Sequence, residues 1–128
     1  MFTNTKATNG FAVDDLQGAQ RFYGETLGLG FTVLSEEFGV ASIQLAGGRD
    51  TLVYVKPDFV PATYTILNFE VDDIDAAVDG LLKRGVEMER YEGFDQDEKG
   101  VARGQGPHIA WFTDPAGNIL SVLQQPQG

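Results

Sequence analysis

Few side chains in this chain are equipped for chemistry, and they are best weighed one at a time. His108 is the only histidine. Its proton affinity lies near neutrality, which suits a general base or a single metal ligand. It follows Gly104-Gln105-Gly106-Pro107 and opens an apolar run. The plainer account is a strand-edge imidazole bonded to backbone or water, and if Phe112 packs under a helix, His108 shares that face. Asn68 and Glu70 alternate along another apolar run, where an amide beside a carboxylate could hold a cation or a polar ligand. Glu70 ends that run, so a solvated position competes with a binding role. Trp111, with Ile109 and Thr113, offers an apolar wall for a small hydrophobic or aromatic ligand, or simply fills a core. The paired aspartates Asp14-Asp15 and Asp72-Asp73 resemble catalytic carboxylates, but each pair precedes a helical pattern, where an acceptor caps free amides.

Other chemistries are excluded by composition. There is no cysteine, so disulfides and thiolate metal sites are absent. Gly28-Leu29-Gly30 follows a helix rather than a strand and is no phosphate cradle. Nineteen acidic residues against nine basic ones give a net charge of −10. Such a field repels nucleic acid and anionic membrane surfaces. It favours cationic ligands, or serves solubility alone. At 128 residues and 42% hydrophobic content, the chain supports a packed core in one domain, or two small halves sharing a sheet. The opening residues lack a signal peptide's apolar core and no run is long enough to span a bilayer, so a cytoplasmic protein is expected.

The elements that position these residues follow from periodicity. Lys6 to Val13 reads as a strand. Leu16, Ala19, Phe22, Tyr23 and Leu27 then recur at helical spacing, and Gly28 and Gly30 end the helix. Phe31–Ser35, Val40–Leu45 and Thr51–Val55 are strand-like, separated by turn glycines at 39, 47 and 48. The segment 57–62, with two prolines, is an extended linker. Thr63 to Val71 is the next strand, and Ile74, Ala77, Val78, Leu81 and Leu82 form a second helical stripe that Gly85 stops. Val86–Tyr91 reads as a strand. The long, charged, glycine-rich segment from Glu92 to Pro107 is a lid or a mobile loop, in which Lys99–Arg103 has some strand character and Phe94 could cover a cavity mouth. The chain closes on a hairpin, Trp111 to Leu123, reversed by Asp114-Pro115-Ala116-Gly117-Asn118, where Gly117 and Asn118 tolerate left-handed backbone.

The pattern runs twice. A shift of 58 positions superposes Phe11 on Phe69, Val13 on Val71, Asp14-Asp15 on Asp72-Asp73 and Ala19 on Ala77. The predicted fold is therefore α+β. Two βαβββ modules, 1–56 and 63–126, form a cupped eight-stranded mixed sheet with the helices outside. A single helix covers one face of each module, so the other faces enclose a cavity. Alternation places Phe11, Val13, Leu67, Phe69, Leu120 and Val122 under the helices. It turns Thr8, Gly10, Ala12, Ile66, Asn68, Glu70, Ile119, Ser121 and Leu123 the other way.

Phe11-Ala12-Val13-Asp14-Asp15-Leu16 with Phe22-Tyr23 and Leu27-Gly28 resembles the opening of the vicinal oxygen chelate superfamily, which includes glyoxalase I, the bleomycin-resistance proteins and the extradiol dioxygenases. Phe69-Glu70-Val71-Asp72-Asp73-Ile74 resembles the start of its second module, and Phe112 to Asn118 its closing hairpin. The resemblance implies a divalent metal held by a His or Gln five residues before the Val of each opening motif and by a Glu on each module's last strand. Carried over, those positions are Thr8, Ile66, Ser121 and Val53, or Tyr54 if the register slips by one. Ile66 and Val53 have no donor, and Thr8 and Ser121 offer neutral hydroxyls, whereas such a site needs about three good ligands. No metal and no cofactor are therefore expected. The resulting expectation is a metal-independent small-molecule-binding protein, similar to the bleomycin-resistance branch and homodimeric by that resemblance. Its ligand surface is expected to draw on Thr8, Val53, Ile66, Asn68, Glu70, Trp111 and Ser121. The alternative is a metal-dependent lyase or dioxygenase with displaced ligands, for which Glu70 and His108 are the available donors.

Overall fold

The computed structural model describes residues 1–104 and 106–126. The chain divides into two compact units, Met1–Pro61 and Ala62–Gly128, and its secondary structure is α+β. In the first unit β1 (Asn9–Val13) leads to the helix α1 (Leu16–Ala19), a π-helical segment Gln20–Thr26, and strands β2 (Gly30–Ser35), β3 (Val40–Leu45) and β4 (Arg49–Val55). Their order across the sheet is β1-β4-β3-β2, with β1 parallel to β4 and the other pairs antiparallel.

Asp15 caps α1, its carboxylate accepting the Gly18 amide at 3.2 Å. The single α-helix expected here widens after one turn, so that the Leu27 amide reaches back to the Phe22 carbonyl at 2.9 Å. A wider turn of this kind inserts a residue into a helix, and here Phe22 and Tyr23, adjacent in sequence, are both buried. Their rings meet edge to face at 5.2 Å, and Tyr23 also meets Phe11 at 5.6 Å. Phe11, Val13, Ala41, Ile43 and Val53 complete the core under this helical segment.

The second unit repeats the opening. Strand β5 (Thr65–Glu70) runs into α2 (Ile74–Lys83), capped by Asp73, whose carboxylate accepts the Ala76 amide at 3.1 Å. Strands β6 (His108–Thr113) and β7 (Ile119–Gln124) follow, and the sheet order is β5-β7-β6. Ile74, Val78 and Leu81 of α2 pack with Phe112, Leu120 and Val122 in this unit's core. The closing hairpin is fixed by side chains. The buried Asp114 carboxylate accepts both the Asn118 backbone amide (2.8 Å) and its side-chain amide (3.1 Å). Asn118 in turn accepts the Ala62 amide at 3.1 Å. Gly117 alone in that turn has a left-handed backbone, at φ 97. Asn118 contributes hydrogen bonds rather than the left-handed conformation expected of it.

The strand count differs from the expected one. The described strands number seven, hydrogen-bonded as one sheet of four and one of three rather than a continuous eight-stranded sheet. The missing strand is Val86–Tyr91, which contributes only a bridge from Met88 to Phe112. The reason lies in Gln96. Its side-chain amide accepts from the Tyr91 amide (2.8 Å) and donates to the carbonyls of Glu89 (2.9 Å) and Gly100 (2.7 Å). Backbone groups that a ladder would have used are thereby satisfied locally. Among the described residues, no helix is long and apolar enough to cross a membrane.

Candidate functional site

Strand pairing decides which side chains share a face, because directly opposed residues point the same way. In the second unit the pairings Asn68 to Ser121 and Ser121 to Trp111 line up an amide, a hydroxyl and an indole in one row across β5, β7 and β6. The next row is Glu70, Leu123 and Ile109. Phe69, Val122 and Ala110 lie on the opposite, helix-covered face. Within the first row, the Ser121 hydroxyl is fully buried and donates to the Asn68 side-chain carbonyl at 2.6 Å. Asn68 and Glu70 themselves are exposed.

Trp111 is only 8% exposed, although α2 covers the other face. Tyr91 stands against it at 5.4 Å, nearly perpendicular, and Phe94 at 4.9 Å, tilted by 58°. Burial, and secondarily the nearby Glu89 carboxylate, push the Tyr91 phenol above its ordinary value. Glu89 also accepts from the Thr113 hydroxyl at 3.5 Å on this side of the sheet.

The segment bearing Phe94 is tied down at its base. Arg90 donates to the Asp97 carbonyl at 2.8 Å, Lys99 pairs with Asp79 of α2 at 2.9 Å, and Arg103 bridges Asp75 (2.7 Å) and Asp97 (3.2 Å). Burial alone would raise the Asp97 carboxyl. Hydrogen bonds from the Val101 and Lys99 amides, together with Arg103, outweigh it and hold the carboxyl below its ordinary value. Gln96 and this ion-pair set were invisible in the sequence, since isolated polar residues in a loop carry no periodic signal.

The remaining expected site residues are placed as follows. Ile66 lies at an irregularity between Thr65 and Leu67, which oppose the consecutive residues Ile119 and Leu120, so Ile66 has no partner across the ladder. Thr8 is exposed and precedes β1. Val53, expected on the uncovered face, is fully buried opposite Phe11, on the helical side. The register shows why. Phe11 pairs with Val53 as Phe69 pairs with Val122, so the first-unit counterpart of Ser121 is Leu52, opposite Gly10. Tyr54 shares the face of Leu52, two residues further along, and both side chains are partly exposed.

Glu70 and His108, the donors available to a displaced metal site, do not meet. His108 pairs with Gln124, whose side chain accepts the Ile74 amide of α2 at 2.9 Å, and its Nδ1 lies 3.4 Å from Arg103. Glu70 pairs with Leu123, on the other face. Among the described residues no three His, Asp or Glu side chains converge as a metal site. Taken unit by unit, Thr8 with Leu52 in the first and Ile66 with Ser121 in the second each offer a single neutral hydroxyl and no carboxylate or imidazole, which does not fit the divalent cation the resemblance implies.

Comparison with known proteins follows from this geometry. Solved structures of the same fold include a glyoxalase family protein from Bacillus anthracis, 22% identical, covering 98% of this chain and 100% of its own, with a TM-score of 0.71. An antibiotic-binding protein from Streptomyces is 24% identical over 97% of this chain and 99% of its own, with a TM-score of 0.69. A fosfomycin resistance protein from Mesorhizobium loti is 15% identical over 96% and 93%, with a TM-score of 0.64. No curated protein matches the chain. The family model of the glyoxalase/bleomycin resistance protein/dioxygenase superfamily matches residues 7–122, and the chain, with its duplicated capped helices and closing hairpin, belongs to that superfamily.

Proposed function

We propose that this protein binds a small molecule without a metal ion, taking a hydrophobic or cationic aromatic ligand on the face of its second sheet opposite α2. The observation that carries this reading is the row Asn68, Ser121 and Trp111. Where the superfamily resemblance expects a carboxylate, a buried serine is instead engaged by an amide at 2.6 Å. Apolar walls with a few fixed polar groups are the usual make-up of small-molecule sites. Trp111, Ile109 and Leu123 supply the walls, Asn68 and Glu70 the polar groups. An indole face attracts cations, and Glu70 together with the net charge of −10 favours the same sign. Two of the similar structures are an antibiotic-binding protein and a fosfomycin resistance protein. At their identities they support the fold, and the ligand class rests on the residues above. We also infer a homodimer, which light scattering on the purified protein tests.

The experiment for the binding reading is a thermal-shift screen of neutral and cationic aromatic compounds with a chelator present. A ligand at a hundred times its dissociation constant stabilises the folded state by about 2.7 kcal/mol. The expected result is a shift for at least one planar compound that Trp111→Ala abolishes. Shifts that appear only after a divalent metal is added back would refute the reading.

A further inference from the structure

We propose that Phe94 is a built-in competitor for the ring face of Trp111, and that a planar aromatic cation binds by displacing it. This rests on the reading of the second sheet's face opposite α2 as the ligand surface. Trp111 lies on that face yet is 8% exposed, with the Tyr91 and Phe94 rings packed against it. The two covering rings are held very differently. Tyr91 is half-buried, and its amide is pinned by the Gln96 side chain at 2.8 Å. Phe94 is 55% exposed and sits in a tip, residues 92–95, whose members are all exposed.

The tip's own tie to its base is a long Phe94 amide to Tyr91 carbonyl bond of 3.4 Å. Gly93, at φ 88, lets the chain reverse there. Gln96 clamps the base through Tyr91, Glu89 and Gly100, so the base is fixed by bonds that do not pass through the tip. Phe94 is the single apolar side chain in the run Glu92-Gly93-Phe94-Asp95. An exposed phenyl ring tilted against an indole at 4.9 Å makes the contact that a ligand ring would make. Glu92 and Asp95 flank it with negative charge, and the Glu89 carboxylate is near enough to act on the Tyr91 phenol, so a displacing ring that carries a positive charge is favoured over a neutral one. The tip therefore acts as a selectivity element. It keeps the indole covered against casual apolar contacts and yields to a group that stacks as well and adds an electrostatic gain.

The test uses Phe94→Ala and Phe94→Leu, with Trp111 as reporter because it is the only tryptophan. Acrylamide quenching of its fluorescence reads the cover, and titration calorimetry with the planar cation 9-aminoacridine reads the competition. Circular dichroism confirms that the exposed substitution leaves the fold intact. Phe94→Ala is expected to raise the quenching constant at least about twofold and to tighten 9-aminoacridine binding by roughly two- to tenfold, the worth of one aromatic pair no longer competing. Phe94→Leu should fall between. Unchanged quenching would show that Phe94 does not shield the indole. Probe binding that is weakened, unchanged or absent in Phe94→Ala would show that Phe94 grips the ligand, or that the uncovered indole is no platform, and each overturns the proposal. Failure of the underlying binding reading has another signature: a probe isotherm that Trp111→Ala leaves unaltered in both backgrounds.

Discussion

Replacing Gln96 with alanine isolates the device that holds residues 89–100 in place. Three backbone groups lose their partners at once: the Tyr91 amide and the carbonyls of Glu89 and Gly100, all bonded at 2.7 to 2.9 Å. A net hydrogen bond contributes about 1 kcal/mol, which gives an upper figure of about 3 kcal/mol. Gln96 is half-buried, so water reaches some of the orphaned groups, and a loss of about 2 kcal/mol is expected. Urea denaturation measures it, and hydrogen exchange at the Tyr91 amide locates it, since opening there exposes a proton that Gln96 now protects. Gln96→Glu sharpens the test. A carboxylate still accepts from Tyr91 but can only repel the two carbonyls, so it should destabilise at least as much as alanine. A loss below about 0.5 kcal/mol, or a glutamate variant milder than the alanine variant, would refute the reasoning.

Two further outcomes follow from the same geometry. Asn68→Ala removes the acceptor of a fully buried Ser121 hydroxyl and should cost about 1–2 kcal/mol. Ser121→Ala leaves only an exposed amide that water can satisfy and should cost less. Equal costs in urea denaturation would contradict the assignment of the pair. The Asp97 carboxyl is held below its ordinary value, so its contribution is present above that ordinary value and is lost as pH falls from about 4 downward through the folded value. The amides of Lys99 and Val101, which donate to Asp97 at 2.9 Å, should show matching chemical-shift changes in a low-pH titration. Amide signals that stay constant over that acid range would contradict the assignment.

Much of this was legible in the sequence because it is periodic or repeated. The strand-to-capped-helix passage recurs at a shift of 58 positions, and Asp15 and Asp73 do cap their helices through the third residue on. The helix-covered faces followed from alternation, and Phe11, Val13, Leu120 and Val122 are buried as expected. The departures have particular causes. Val53 was carried over from the resemblance with Tyr54 as its one-residue alternative, and it is Tyr54 that shares the face of Leu52, since a one-residue slip exchanges the two faces. The strand expected at Val86–Tyr91 lost its ladder to a glutamine five residues beyond it. The π-helical segment reflects two adjacent aromatic residues competing for one core, which a single 3.6-residue stripe does not represent. The Asp114 and Asn118 contacts arise from tertiary geometry in a turn whose sequence announced only a reversal.

What most directly tests the account is the metal content of protein purified without chelator, determined by inductively coupled plasma mass spectrometry alongside calorimetric titration with zinc, manganese, nickel and iron. With hydroxyl and hydrocarbon side chains at Thr8, Leu52, Ile66 and Ser121, the account predicts far less than one ion per chain and no saturable heat. One tightly held ion per chain, lost together with binding of an aromatic ligand when the protein is stripped, would contradict it.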